Sequence, residues 1–245
     1  MSGDLVRRDE LGDVVARLSE ADLDRRERGR LLVRLAGLVG AGARLAGARA
    51  AVSGRWLTEA VADVAPHLPV RDLLTLRQHH GGRSGDDLAE ALITTAARTT
   101  AAIGAAGGAL AAAEMAAPPT LLAAPVQLAA ETIAVVAVEL KLVAELHVVY
   151  GRAPVGTRGQ VATAYLMSWA GKRGIDMSAG TPSLASVLGT AARSQLRSRV
   201  LRRLGRNVTT MAPFLAGAIA GAELNRRETR SLGEKLRKDL RKPRN

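Results

Sequence analysis

The chain has 245 residues and no cysteine. That excludes disulfide scaffolds, thiolate zinc sites, iron–sulfur clusters and cysteine nucleophiles. Aromatic residues are nearly as scarce: one Phe, two Tyr and two Trp, too few for the stacking platforms that hold single-stranded nucleic acid. Only four histidines occur, His67, His79, His80 and His147. His79 and His80 are adjacent in a Gly-rich loop, and two neighbouring ligands are too few for a copper or nickel site. The sequence shows no Ser/His/Asp order, no phosphate-binding loop after a strand and no metal-ligand spacing. No catalytic residue, cofactor or metal is therefore expected.

Long apolar runs are missing as well. The uncharged windows Thr99–Ala113, Met115–Ala130, Met177–Ala192 and Asn207–Ala222 hold 15 or 16 residues each, short of the roughly 18–20 that a spanning helix needs. The opening Met1–Arg8 is polar and no apolar run or cleavage site follows, so the expected location is the cytoplasm. Period-two alternation is absent too, whereas helical spacing is everywhere. Residues 4–50 read as helix, with Leu11, Val14, Val15 and Leu18 and then Leu31, Leu32, Leu35 and Leu38 on its apolar side. Further helices are expected from Ser53 to Val64, over Val70–Arg77, from Asp86 to about Ala113, on both sides of Pro118-Pro119, and over Gln160–Lys172, Leu184–Leu204 and Met211–Leu240. The fold class is all-α: a compact multi-helix domain with close-packed Gly/Ala-rich central helices, preceded by an N-terminal helical region.

One absence is local. Arginine supplies 30 of the 35 basic residues, yet none lies between Arg98 and Arg152. Coding bias explains an Arg-, Ala- and Gly-rich chain but not such a gap, so this interval is expected to be buried in protein or lipid. Its charges are Glu114, Glu131, Glu139, Lys141 and Glu145. At about 100° per residue, Glu131, Val138, Leu142, Glu145 and Val149 fall within about 60° of one another, Glu139 lies about 80° from Glu131, and His147 points to the opposite side. Lys141 precedes Glu145 by four, close enough to pair with it. Acids on so apolar a helix are costly unless paired or facing water. Three readings stay open: an internal ion-pair network, a polar binding or conduction path, and acid/base catalysis, the last requiring an open polar pocket.

What the chain has in excess is positive charge, concentrated at one end. Residues 190–245 carry 15 basic and 4 acidic side chains, against 20 and 19 in the rest. Arg199, Arg202, Arg203 and Arg206 gather beside a face of Leu196, Val200 and Leu204. Lys235, Arg237, Lys238, Arg241 and Lys242 flank a narrow stripe of Leu232, Leu236 and Leu240. Basic amphipathic helices fit anionic lipid surfaces. They also fit nucleic acid, where phosphate contacts dominate affinity, or stand as a solvated tail. No reading helix is recognisable.

Small residues repeat at helical spacing in two pairs, Gly104 with Gly108 and Gly217 with Gly221, which lets two helix backbones approach closely. Two blocks around them carry a family resemblance. Ala101–Gly151 is a Gly-rich helix, a proline break and a long apolar helix ending in Tyr150-Gly151. Gly217–Gly233 places Gly217, Gly221, Asn225, Thr229, Arg230 and Gly233 in a closing pattern. From about Val70 to Leu236 the chain resembles the bacterial EcsC family, though its proline break falls later and is doubled. The resemblance implies an α-helical protein at the cytoplasmic face of the membrane, associated with ABC-transporter operons, with no established enzymatic activity or cofactor. It singles out Asn225, Thr229 and Arg230. Arg230 is expected to reach a buried acid such as Glu131 or Glu145, and Asn225 to bond to backbone at a close helix crossing.

The expected organisation is an N-terminal helical region over 1–80, an EcsC-like helical domain over 81–236 and a basic tail over 237–245. The expected function is non-enzymatic and membrane-associated, peripheral at the inner face of the cell membrane and accessory to a process such as ABC transport. An anionic membrane surface is the expected partner, with a membrane protein such as a transporter beside it. The alternatives are a nucleic-acid-associated basic protein and a helical scaffold with no membrane role.

Overall fold

The computed structural model describes residues 2–53, 60–61, 63–116, 123–173 and 212–242. Among the described residues stand seven α-helices and no strand, the all-α class that the periodicity implies. They are α1 (Ser2–Leu18), α2 (Arg25–Ser53), α3 (Leu73–His79), α4 (Gly85–Ala116), α5 (Ala123–Val149), α6 (Arg158–Lys172) and α7 (Ala212–Leu240), with one 3₁₀ turn at Ala65–His67. None is long and apolar enough to cross a membrane. The double proline and the helix expected over 184–204 lie outside the described residues, as does much of the stretch between Ser53 and Val64.

α5 is the centre. From Ala129 to Leu146 only Thr132 escapes full burial, because a helix apolar on every side has no face to give to water. It packs against α1, α2, α4, α6 and α7. The arginine-free interval over 129–146 is therefore protein core. The most extensive pairing among the described helices is α4 on α7.

Each boundary has a local cause. Residues 4–50 form two helices instead of one, broken at 19–24. There the Asp24 carboxylate accepts the Glu27 N–H at 2.8 Å, an N-cap, and its pKa falls below the ordinary value through that bond. Arg28, itself buried, spans the break and donates to the carbonyls of Leu18 at 3.4 Å and Leu23 at 3.3 Å, satisfying acceptors that a helix end leaves open. α3 starts two residues past Arg71 because Asp72 caps it, accepting from the Thr75 N–H at 2.9 Å. A capping box between Thr157 and Gln160 opens α6. The helix expected from Asp86 starts one residue earlier, at Gly85, so Asp86 lies inside its first turn.

Tyr150-Gly151 is a helix stop. Gly151 has φ +64°, its N–H donates to Val148, and the Arg152 N–H donates to His147 at 2.7 Å. That pair of bonds is a Schellman motif, for which glycine carries no steric penalty.

Neither expected division is a break in packing. Val15, Leu18 and Leu35 share one apolar core with Ile133, Leu142 and Leu236, so the N-terminal helices are continuous with the rest. α7 runs past residue 236, with Leu240 still buried.

Candidate functional site

Gly217, Gly221, Asn225, Thr229 and Gly233 follow one another at intervals of four along α7, the spacing of one ridge on a helix surface. From Gly221 onward this ridge meets α4 and α5. Gly217 is on the helix, with surroundings outside the described residues. At Gly104 of α4 a Cβ would lie 3.0 Å from the Gly221 carbonyl oxygen and 2.7 Å from Asn225 Nδ2. At Gly233 it would lie 2.6 Å from Ile93 Cγ1. Both contacts leave no room for a methyl group. Gly107 of α4 serves packing as well: a Cβ there would run into the Glu131 carboxylate, and its carbonyl accepts from Gln127 Nε2 at 2.9 Å.

Polar groups on the ridge are bonded across it. Asn225 Nδ2 donates to the Thr100 carbonyl at 3.3 Å, the backbone bond at a close crossing that the sequence leads one to expect, while its Oδ1 is buried without a hydrogen-bond partner. Thr100 Oγ1 donates to Thr229 Oγ1 at 3.0 Å, and the Thr229 hydroxyl in turn donates to Glu139 Oε1 at 2.8 Å. Glu139, 1% exposed, also accepts from Trp169 Nε1 at 2.8 Å, from Arg173 Nε at 3.3 Å and from a second Arg173 nitrogen. Arg173 continues to Glu228 at 2.8 Å. One carboxylate thus joins α5 to α7 and to the end of α6.

Six residues along α5, the second ionic group is bonded far less. Lys141 Nζ and Arg71 Nη1 each lie 3.7 Å from Glu145 Oε1, and both Nζ and that oxygen are buried without a hydrogen bond. The i,i+4 pairing is as expected from the spacing. Burial pushes the Glu145 carboxyl above its ordinary value despite Lys141 and Arg71, and pushes Lys141 below its own despite Glu145. His147, half-buried on another side, donates from Nδ1 to the Val143 carbonyl at 2.7 Å and meets Tyr165 edge-on.

Arg230 does not reach Glu131 or Glu145. Its guanidinium lies on Glu90 of α4 at 2.5 Å and on Glu234 at 3.0 Å, because residue 230 follows Thr229 by one and so faces along α4 instead of across to α5. Arg237 joins it on Glu90 at 2.6 Å. Tyr150 donates to Asp86 at 2.6 Å, and burial with that bond raises its pKa to about 12; Arg241 holds the other Asp86 oxygen at 3.0 Å.

Of the basic residues expected to meet an anionic surface, Arg199, Arg202, Arg203 and Arg206 lie outside the described residues. Arg237 and Arg241 are engaged by Glu90 and Asp86, and Lys242 by Asp239 at 3.1 Å. Lys235 and Lys238 are exposed and have no acidic partner among the described residues. The leucine stripe is not a lipid face: Leu232, Leu236 and Leu240 are buried in the core. An apolar stripe on a helix looks the same in sequence whether it faces protein or lipid.

Thr100, Trp169, Arg173, Arg71 and Glu90 complete these networks and were not singled out by spacing, since each partners a residue far away in the chain. Neither Glu131, Glu139 nor Glu145 lines the surface groove of about 600 Å³ along α4, which His80, Arg83, Asp87, Glu90, Thr94 and Arg98 border. Among the described residues no cluster of His, Asp and Glu has the arrangement of a metal site. Compared with protein-family models, curated proteins and solved structures, the chain matches none.

Proposed function

We propose that this protein is a non-enzymatic helical protein that attaches peripherally to an anionic membrane surface at the cytoplasmic face and serves a membrane process such as transport, as its resemblance to the EcsC family implies. The observation that carries the reading is the outward side of α7. Its inner ridge and leucine stripe are used in packing, and Lys235 and Lys238 are left exposed without an acidic partner among the described residues. From Gly221 to Lys242 the helix and its end hold eight basic and four acidic residues. With the leucines committed to the core, attachment rests on charge and not on insertion of this helix. A juxtamembrane Lys or Arg is worth about 1 kcal/mol at an anionic surface, and salt screens it.

Co-sedimentation with vesicles, anionic and neutral, at low and high salt tests this. Binding to anionic vesicles alone, weakened by salt and reduced by K235E/K238E by roughly tenfold or more, is the expected outcome. Failure to bind anionic vesicles at low salt would overturn the reading. DNA binding that survives an excess of anionic vesicles would replace it with a nucleic-acid role.

A further inference from the structure

α3 is a seven-residue helix with one residue, Leu76, fully buried. Its other two leucines face outward: Leu73 is 40% and Leu74 67% exposed, and Val70 just before them is 41% exposed. A lone exposed leucine is ordinary, but three large apolar residues within five positions form a patch, and such patches mark contact surfaces. Leu74 shares its side of the helix with Arg77, three residues on. Arg77 and, in the turn that follows, Arg83 are exposed with no acidic partner among the described residues. The one acid inside the ridge, Asp72, is turned back on its own helix, bonded to the N–H and hydroxyl of Thr75. The patch is therefore apolar with a cationic margin.

Its place in the fold links it to α7. α3 leads through the 80–84 turn into the start of α4, and there Asp86 receives both Tyr150, at the end of α5, and Arg241, at the end of α7. The α3 ridge and the basic end of α7 thus belong to the same end of the bundle.

Resting on the peripheral attachment proposed above, we infer that the ridge Val70–Leu74 is the part of the molecule that enters the headgroup layer of an anionic bilayer, with Arg77 and Arg83 at phosphate level. Apolar side chains buried in the boundary beside cations that stay with the headgroups is the arrangement of an interfacial element. Occupancy by anionic lipid follows from that charge complementarity.

Because the chain has no cysteine, L74C and, as control, I219C each carry a single polarity-sensitive fluorophore in the full-length protein. Ile219 is 68% exposed but lies far along α7 from this end. On vesicles of equal parts phosphatidylglycerol and phosphatidylcholine, the probe at 74 shifts to the blue and loses access to an aqueous quencher, while the probe at 219 does neither. L73S/L74S, at positions already exposed and hence with unchanged helix content by circular dichroism, binds these vesicles about tenfold or more weakly. If wild-type protein binds but the probe at 74 stays in water and L73S/L74S binds as well as wild type, the ridge is not the inserted element, although peripheral attachment stands. A wild-type dimer in lipid-free buffer that L73S/L74S dissociates would assign the ridge to a second copy and overturn the inference. No wild-type binding at all would remove both.

Discussion

Glu139 and Glu145 are carboxylates of the same helix, both buried, six residues apart. They are held in opposite ways. Glu139 receives four directed hydrogen bonds from Thr229, Trp169 and Arg173. Glu145 has two cations at 3.7 Å and no hydrogen bond on Oε1. Charge alone does not replace a hydration shell; donors placed on the lone pairs do. The first site ties three helices together, whereas the second is tolerated by the fold.

Removing each acid separates the two cases, and the larger effect belongs to Glu139. E139A leaves the Trp169 N–H, the Thr229 hydroxyl and part of the Arg173 guanidinium without an acceptor between α5, α6 and α7. Loss of one member of a buried ionic network costs about 3–5 kcal/mol, a large share of the stability of a domain. Urea unfolding of E139A against wild type measures it. A loss below about 1 kcal/mol would mean that the node is wet or unformed.

The second contrast comes from a double-mutant cycle at Lys141 and Glu145. E145L strands Lys141 near Arg71, at a cost of about 2 kcal/mol, limited because the pair that it breaks holds no directed hydrogen bond between Nζ and Oε1. K141M/E145L removes both desolvated charges and is expected within about 1 kcal/mol of wild type, or more stable. If the double variant loses as much as E139A, the pair stabilises the fold and the comparison between the two glutamates fails.

The buried acids themselves were legible. An interval empty of arginine that retains Glu131, Glu139 and Glu145 on one apolar helix has few places to be except a core with internal partners. The partners were not legible, because Trp169 and Arg173 lie some thirty residues beyond Glu139, and helical periodicity carries no information about which helix stands opposite. The same limit explains Arg230: its angle on α7 follows from the sequence, but the acid opposite is Glu90 of α4. The stripe of Leu232, Leu236 and Leu240 shows a different limit, since amphipathicity reports that a face avoids water without saying what covers it. The turn at 19–24 was readable in principle, as an Asp with a Glu three residues on is a helix-start signal. It was masked by leucines that keep helical phase on both sides.

The finest distinction between the two carboxylates is in their response to pH. Glu145 titrates above its ordinary value in the folded chain and Lys141 below its own. A raised carboxyl pKa means that the folded state holds the proton more tightly than the unfolded one. The stability linked to it is present below the unfolded value and lost as pH rises through the folded value. Lys141 acts in the opposite sense, its contribution being present above the unfolded lysine value and lost as pH falls through the depressed one. The Glu145 penalty thus grows as pH rises above the ordinary carboxyl value, and the Lys141 penalty grows as pH falls below the ordinary lysine value. The stability of K141M/E145L relative to wild type should increase as pH is raised from about 4 to 7, by about 1.4 kcal/mol for each unit by which burial displaces Glu145. The carboxylates with lowered values, such as Asp24, Asp72, Asp239 and Glu223, the last held near 2 by Arg226 and Arg227, are common to both chains and cancel in the difference. A flat difference across that range would mean that water reaches Glu145, and the two sites on α5 would then differ in their bonds but not in their burial.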